Sequence, residues 1–278
     1  MTDLTVIILT KNEEKNLGFA LASIAPLQAK IFLVDSGSTD ATLEIGARAG
    51  AEIVHHDFVT HAKQLNWALE NLPITTGWVL RLDADERLTP ELAAELPSRL
   101  PSVTADVSAF LMKRRVYFWG RWIRHGGYYP IWLLRLWRAG EAQSEDRDMD
   151  EHMVVRSGRI ERLQHDIIDE NHKGMSFWIE KHNRYADREI AAMMQAHDVR
   201  GPQAGSQVAL KRMLKTRVYA RLPRFWRAFL YWFFRYFVLF GFLDGKAGLV
   251  FHFLQGFWYR FLVDAKLEER EMKGIAPR

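Results

Sequence analysis

The sequence predicts an α/β fold: a mixed, mainly parallel sheet with helices on both faces, followed by amphipathic helices in the C-terminal region. Three observations carry that expectation. The first hundred residues alternate short apolar runs with stretches of helical spacing. The strand ends of this part carry polar sets. The stretch from Phe225 to Val263 holds far more aromatic residues than an ordinary surface helix.

Taken in order, "LTVIIL" (Leu4–Leu9) reads as a buried strand, and "KNEEKNLGFALASI" follows with helical spacing. "KIFLVDSGSTDAT" is a second strand ending in a polar loop, where Ser38, Thr39 or Asp40 can cap the next helix. That helix, "ATLEIGARAG", ends at Gly50; "AEIVHH" is a third strand, "HAKQLNWALENL" a helix and "GWVLRLDADE" a fourth strand. Such a series implies parallel strands covered on both faces, with ligands beyond their carboxyl ends. Residues 101–170 are less regular. "VSAFLMKRRVYFWG" gives a strand or two, "RHGGYYPIWLLRLWRAG" a glycine turn then a strand, and "RSGRIERLQHDIID" a hairpin. A helix is expected from Gly174 to His197, then a Gly- and Pro-containing linker, "DVRGPQAGSQ". The expected division is a domain over 1–197, with halves 1–100 and 101–197, and a helical region over 198–278.

The 278 residues are 48% hydrophobic and 26% charged, a balance that builds a core. The absence of cysteine excludes disulfides, thiolate zinc sites and cysteine nucleophiles. A net charge of +4 and a pI near 9.2 suit an anionic partner such as a nucleotide or a lipid surface; no nucleic-acid partner is expected. "MTDLTVIILTKNEEKNL" does not read as a signal peptide, because its apolar run is short, an acid precedes it and no small-residue cleavage site follows.

Four polar sets fall at the strand ends: Thr10–Glu14, Asp35–Asp40, Lys63–Asn66 and Asp83–Glu86. Each alone reads as a solvated turn. Together they mark one edge of one sheet. Asp83 and Asp85, one residue apart, repel unless a cation or donors compensate. Hard ions such as Mg²⁺ and Mn²⁺ prefer carboxylate and phosphate oxygens, so a metal here would bridge to a diphosphate. "DSGSTD" supplies exposed N–H groups, with Asp35 an acceptor for a base or ribose.

"VIILTKNEEKNL", "LVDSGSTDAT", "KQLNWAL" and "WVLRLDADE", in this order and spacing, resemble glycosyltransferase family 2. The resemblance implies the GT-A (Rossmann-like) fold, a nucleotide-diphosphate sugar donor and inversion at the anomeric carbon. It aligns "LDADE" with the family's DxD motif, giving Asp85 to the metal and Asp83 to ribose or metal. Asp35 would face the nucleobase, Thr10, Glu14 and Ser38 would line the nucleotide pocket, and Lys63, Gln64 and Asn66 would approach the diphosphate. Further along, "RHGGYYPIWLLRLWRAG", "DEHMVV", "HNRYA" and "FLDGKAGLVF" look like a bacterial subgroup that builds lipopolysaccharide core, capsule or exopolysaccharide of the colanic-acid kind. Where many of that subgroup read His-Glu, this chain reads Asp150–Glu151.

An inverting transfer needs a carboxylate to take the acceptor's proton. The acid-dense "SEDRDMDEHMV" offers Glu151 or Asp150, with Asp146 an alternative. His152 can orient a carboxylate or contact phosphate. His125 and Arg135 flank the glycine turn and can contact diphosphate or acceptor; an ion pair is the plain alternative for Arg135. His165 and His172 do not have the spacing of a metal pair.

In the aromatic region, Arg217, Arg221, Arg224 and Arg235 share a stripe on a helical wheel if the helix survives Pro223, which can instead start a new helix. His252, Gln255, Tyr259 and Lys266 form a second polar stripe. A core hairpin and a pair of spanning helices compete with the favoured reading, an interfacial hairpin. There Trp226 and Trp232, with Phe225 and Phe233, sit at headgroup level, and Arg224 and Arg235 meet anionic lipid.

The expected activity is metal-dependent, with Mn²⁺ or Mg²⁺, and moves a hexose, glucose from a UDP-sugar being the first candidate. The acceptor would be a lipid-linked saccharide or lipopolysaccharide at the cytoplasmic face of the bacterial inner membrane, where the protein would be peripheral or monotopic. A polyprenyl-phosphate acceptor and a non-catalytic membrane scaffold are the alternatives.

Overall fold

The computed structural model describes residues 2–145, 152–195 and 222–274, the side chains of 194 and 195 excepted. The chain forms two compact units, Met1–Ile123 with Tyr128–Gly174, and Arg124–Gly127 with Met175–Arg278. Helix 174–195 thus goes with the C-terminal helices, against a sequence-based boundary at 197.

In the first unit, strands β1 (Leu4–Thr10), β2 (Lys30–Asp35), β3 (Glu52–His55) and β4 (Trp78–Arg81) are parallel in the order β3-β2-β1-β4. Beyond β4 the sheet becomes mixed. β8 (Ile131–Arg138) runs antiparallel between β4 and β6 (Val107–Phe118). β11 (Arg159–Asp169) lies parallel to β6, and β5 (Glu86–Leu88) closes the edge antiparallel to β11. β7 (Arg121–Ile123) pairs with β6, and β9 (Ala142–Ser144) with β10 (Met153–Val155) in a separate two-stranded ladder. "RSGRIERLQHDIID" is therefore one long strand and not a hairpin. Its outer half finds a parallel partner in β6, which local pattern does not reveal.

Period-2 alternation sorts the strands onto two cores. Leu4, Val6 and Ile8 meet Leu17, Leu21 and Ile24 of α1 (Leu17–Ile24) and Leu92 and Leu96 of α4 (Pro90–Arg99). Ile7, Phe32 and Val34 meet Leu65 and Ala68 of α3 (His61–Asn71) on the other face. Local chemistry starts the helices. The Thr60 hydroxyl caps α3 by accepting from Lys63 N at 3.1 Å, and Thr89 caps α4 ahead of Pro90. α2 (Thr42–Arg48) begins after Asp40, whose carboxylate accepts from Thr42 N at 3.0 Å.

In the second unit, α5 (Gly174–Gln195) packs against α8 (Tyr259–Met272) through Ala186, Ile190, Tyr259 and Val263, and the unit also holds α6 (Trp226–Phe233) and α7 (Gly245–His252). α6 runs on through a π turn, Phe234–Val238, and a second π segment, Phe253–Trp258, joins α7 to α8. The two arms, Trp226–Val238 and Gly241–Met272, are bent by 71° at their break. Among the described residues no single helix is long and apolar enough to cross a membrane.

The hairpin's polarity is inverted relative to a surface helix. Trp226, Leu230, Phe233, Phe234, Phe237 and Val238 are exposed at helical spacing, Trp226 by 66%. Polar groups point inward. Arg227 makes a buried pair with Asp264, and Arg224 reaches Glu268 at 2.8 Å as well as Glu271. Arg235 donates to Gly126 O at 2.6 Å and to Tyr231 Oη. The second polar stripe also faces in: His252 is buried, Gln255 meets His182 at 2.8 Å, Tyr259 donates to Glu189 at 2.7 Å and Lys266 pairs with Asp187 at 2.8 Å. This corrects the expectation of an outward basic stripe at Arg235, whereas Arg224 stays a third exposed in a surface pairing with Glu268 and Glu271. Wheel geometry shows that residues share a face, but not whether that face is inside. Trp232 is likewise half-buried, among Tyr236, Phe253 and Phe257. Phe225, also half-buried, ends the turn before α6 and donates its N–H to Asp264. Arg217 and Arg221 lie outside the described residues.

Candidate active site

Register brings the strand-end residues together. Thr10 is paired with Asp35 and Asp35 with His55, while Ile7 opposite Arg81 sets β4 two residues short of Asp83. β6 and β11 run in the same direction as these strands, because β8 is antiparallel to both β4 and β6. The segment after Asp169 therefore emerges at the same edge.

Asp35 organises the loop that follows it. Its Oδ2 accepts from Gly37 N and Ser38 N, both at 2.7 Å, and its Oδ1 from the Thr10 hydroxyl at 2.8 Å and the Ser38 hydroxyl at 2.5 Å. These fill the four or so acceptor positions of a carboxylate. Burial opposes the charge, yet the bonds from Ser38, Thr10 and Gly37 outweigh it and hold the carboxyl below its usual value. Gly37 supports this turn with φ near +80°. Asp35 thus shapes the loop that would meet a nucleobase; to accept from the base itself it would have to release one of these donors.

The neighbouring residues complete the loop. Lys11 Nζ donates to Ser36 O at 2.8 Å, Asn12 Oδ1 accepts from Thr39 N, and Glu14 accepts from Ala41 N at 3.3 Å. On α3, the Gln64 amide donates to Val34 O at 3.2 Å and the Ser36 hydroxyl at 2.7 Å. Asn66 makes a two-way bridge to Ser144, 2.9 Å to its O and 2.8 Å from its N. Both amides fasten elements together, while Lys63 is left exposed in the first turn of α3. Of the three residues expected at the diphosphate, Lys63 is thus the one in position to reach a solvent-borne anion.

The acids after β4 divide into two roles. Arg135, only 8% exposed, donates to Asp83 Oδ2 and to Glu86 Oε1, each at 2.6 Å. Arg81 adds a bond to Asp83 Oδ1 at 3.1 Å. Burial works against the Asp83 charge, but Arg135 and then Arg81 hold its carboxyl far below the usual range. Burial pushes Glu86 up to about 7 despite the pull of Arg135, and the Asp83 charge adds to the rise. Arg135 is held above its ordinary value by both acids. Its expected role at the donor therefore becomes support from beneath: it fixes Asp83.

Asp85 is partly exposed; its Oδ2 accepts from Asn171 Nδ2 at 3.0 Å and its O from Glu170 N at 3.0 Å. Lys173 pairs with Glu13 at 2.6 Å, and burial raises the Glu13 carboxyl against that pull. The run "NHK" after β11 had not been assigned to this edge. The signal that finds it is the one used for the other four sets, polar residues after an apolar strand, once β11 is read as a single strand.

Among the described residues no group of three His or acidic side chains is gathered for a metal. The donor chemistry nonetheless fits a hard divalent ion. Asp85 offers carboxylate oxygen, Asp83 lies beside it pinned by two guanidinium groups, and a diphosphate would supply the remaining oxygens. The base candidates Asp146, Asp150 and Glu151 lie outside the described residues; Ser144, at the start of the segment leading to them, is the residue that Asn66 fastens.

The parallel strands, the turn that Asp35 organises after β2 and the acids after β4 together mark this carboxyl edge as the candidate site. The chain belongs to glycosyl transferase family 2, whose model matches residues 5–158. Over nearly all its length it is similar to the lipopolysaccharide core biosynthesis glycosyltransferase LpsC of Rhizobium meliloti, 27% identical across 99% of this chain and 95% of that protein. An uncharacterised glycosyltransferase of Rickettsia conorii is 36% identical over 34% of this chain. The chain matches about a third of the length of such rickettsial relatives. In fold it is similar to the mannosyltransferase PcManGT from Pyrobaculum calidifontis, solved with GDP-Man and Mn²⁺. The TM-score is 0.53 at 16% identity, covering 98% of this chain and 88% of that one.

Proposed function

We propose that this glycosyltransferase moves a hexose, with inversion, from a UDP-sugar to a lipid-linked or lipopolysaccharide acceptor at the cytoplasmic face of the inner membrane. The observation that carries the donor side is the set of acids after β4: Asp83 locked by Arg81 and Arg135, Asp85 partly exposed beside it. In this reading Asp85, with Asp83, holds Mn²⁺ or Mg²⁺. When bound, the ion neutralises charge on the departing diphosphate. The loop that Asp35 organises borders the nucleoside, and Lys63 adds a cation for the phosphates. Glu151 or Asp150, with Asp146 as the alternative, accepts the proton of the acceptor hydroxyl. The LpsC relative supports the acceptor class, and the exposed aromatic stripe of α6 supports work at a membrane.

The test is transfer from a panel of nucleotide sugars by the full chain with bacterial lipid extract, with Mn²⁺ or Mg²⁺ and then with EDTA. One donor turned over only with metal, and loss of transfer in a folded Asp85→Ala variant, are expected. Full activity of that variant would overturn the metal assignment. Near-normal rates in both Asp150→Asn and Glu151→Gln would point instead to a phosphate acceptor that needs no base. Absence of turnover and of donor binding would leave a membrane-bound scaffold.

A further inference from the structure

The inverted hairpin of the second unit is absorbed by none of the chemistry above. We infer that the outward face of Trp226–Val238, with the turn after it, inserts among the acyl chains of one leaflet, so that hydrocarbon burial and not a basic stripe holds the protein on the membrane. This rests on the membrane-face reading above and specifies its mode.

Four observations carry it. First, the exposed stripe of α6 is aromatic and aliphatic at every position named above, and the helical period continues it through the π turn. Second, of the arginines expected to meet headgroups, Arg235 is bonded to Gly126 O within the unit and Arg224, a third exposed, is paired with Glu268 and Glu271; Arg217 and Arg221 lie outside the described residues. Third, the turn between the arms exposes Phe240, Phe242 and Leu243, where a solvent-facing connection would be polar. Its underside is braced: Asp244 accepts from His125 N at 3.0 Å and meets His125 Nδ1 at 2.7 Å. Fourth, the first arm is about 20 Å long at 1.5 Å per residue, short of a hydrocarbon core of about 30 Å, and the 71° bend follows it. That geometry suits entry into one leaflet followed by a turn.

Charge chooses the occupant. The sequence leading into the face, Lys211–Arg224, holds six basic residues and no acid. Beside anionic headgroups that run is attracted.

The experiment floats the full-length chain with vesicles of phosphatidylcholine alone, and with phosphatidylglycerol added, at low salt and at about 0.5 M NaCl, where charge attraction is screened. Expected are binding to neutral vesicles that survives the salt, quenching of tryptophan fluorescence by lipids brominated on the acyl chain, and weaker quenching in Trp226→Phe. Phe234→Ser combined with Phe237→Ser should lower partitioning roughly a hundredfold, with unchanged circular dichroism. Binding that requires anionic lipid and vanishes in salt would overturn the inference in favour of a charge anchor. So would a chain that ignores vesicles but forms a dimer split by the double substitution. Donor turnover is measured on the same preparations: turnover without neutral-vesicle binding sinks the insertion alone, and binding without turnover sinks the transferase reading alone.

Discussion

Asp35→Ala puts the loop geometry to its most direct test. The substitution removes one carboxylate that accepts four hydrogen bonds inside a site only 2% exposed. The Thr10 and Ser38 hydroxyls can rotate to other partners. The N–H groups of Gly37 and Ser38 cannot, and each orphaned donor costs about 1–3 kcal/mol. The expected loss is about 4 kcal/mol, or roughly 8–16 °C in the melting temperature of the unit that carries it. Asp35→Asn keeps one oxygen for the two N–H groups and loses charge assistance, so about 1–3 kcal/mol is expected. The pH dependence has a definite sign. The folded carboxyl lies below its usual value, so its stabilisation is complete above the unfolded value of about 3.9 and disappears as pH falls through the folded one. The gap between wild type and Asp35→Asn should be flat from about pH 5 to 8 and close on acidification below about 4. The assay is thermal and urea unfolding across that range. If Asp35→Ala is as stable as wild type at pH 7, or the gap widens in acid, then Asp35 is held in reserve for a ligand and the loop-organising argument fails.

Three further outcomes follow from the geometry. Arg135→Leu should lose about 3 kcal/mol, chiefly by leaving the buried Glu86 without its guanidinium while Asp83, a third exposed, keeps Arg81; adding Glu86→Gln should restore part of it, which a double-mutant cycle in urea reads directly. Gly126→Ala should destabilise the second unit by about 2–4 kcal/mol, since φ is +67° and a Cβ would sit 2.1 Å from His252 Cε1. Gly120→Ala, at φ +71° with open space around it, should lose only about 1 kcal/mol in the same melting experiment.

Legibility followed the range of the interactions. The first four strands and their helices were readable because apolar periodicity and caps such as Thr60 and Thr89 lie within a few residues of what they control. The strand-end residues were readable as a set for the same reason: a polar residue following an apolar strand belongs to the ligand edge whatever its later partner. The roles within that set were not readable. Gln64 and Asn66 look alike as exposed amides on a helix, and only Val34 and Ser144, far away in sequence, show that both are fasteners. Arg135 looks like a phosphate ligand until Asp83 and Glu86, about fifty residues upstream, are found closing on it. Asn171 joined the site only through β11, whose parallel pairing with β6 no local signal announces.

By itself the amino-acid sequence determined the class: alternating apolar and helical segments dictate a parallel sheet, and four polar strand ends in fixed order mark its carboxyl edge as the candidate site. It also determined that the C-terminal hairpin has two unlike faces, because spacing along a helix is a property of the backbone. Only the tertiary structure decided which of those faces is inside. Direction needs a partner, and the partners, Asp264 for Arg227, Gly126 for Arg235 and Glu189 for Tyr259, come from other elements of the unit. Buried polar groups take the side where donors and acceptors await them, and the aromatic face is left outward.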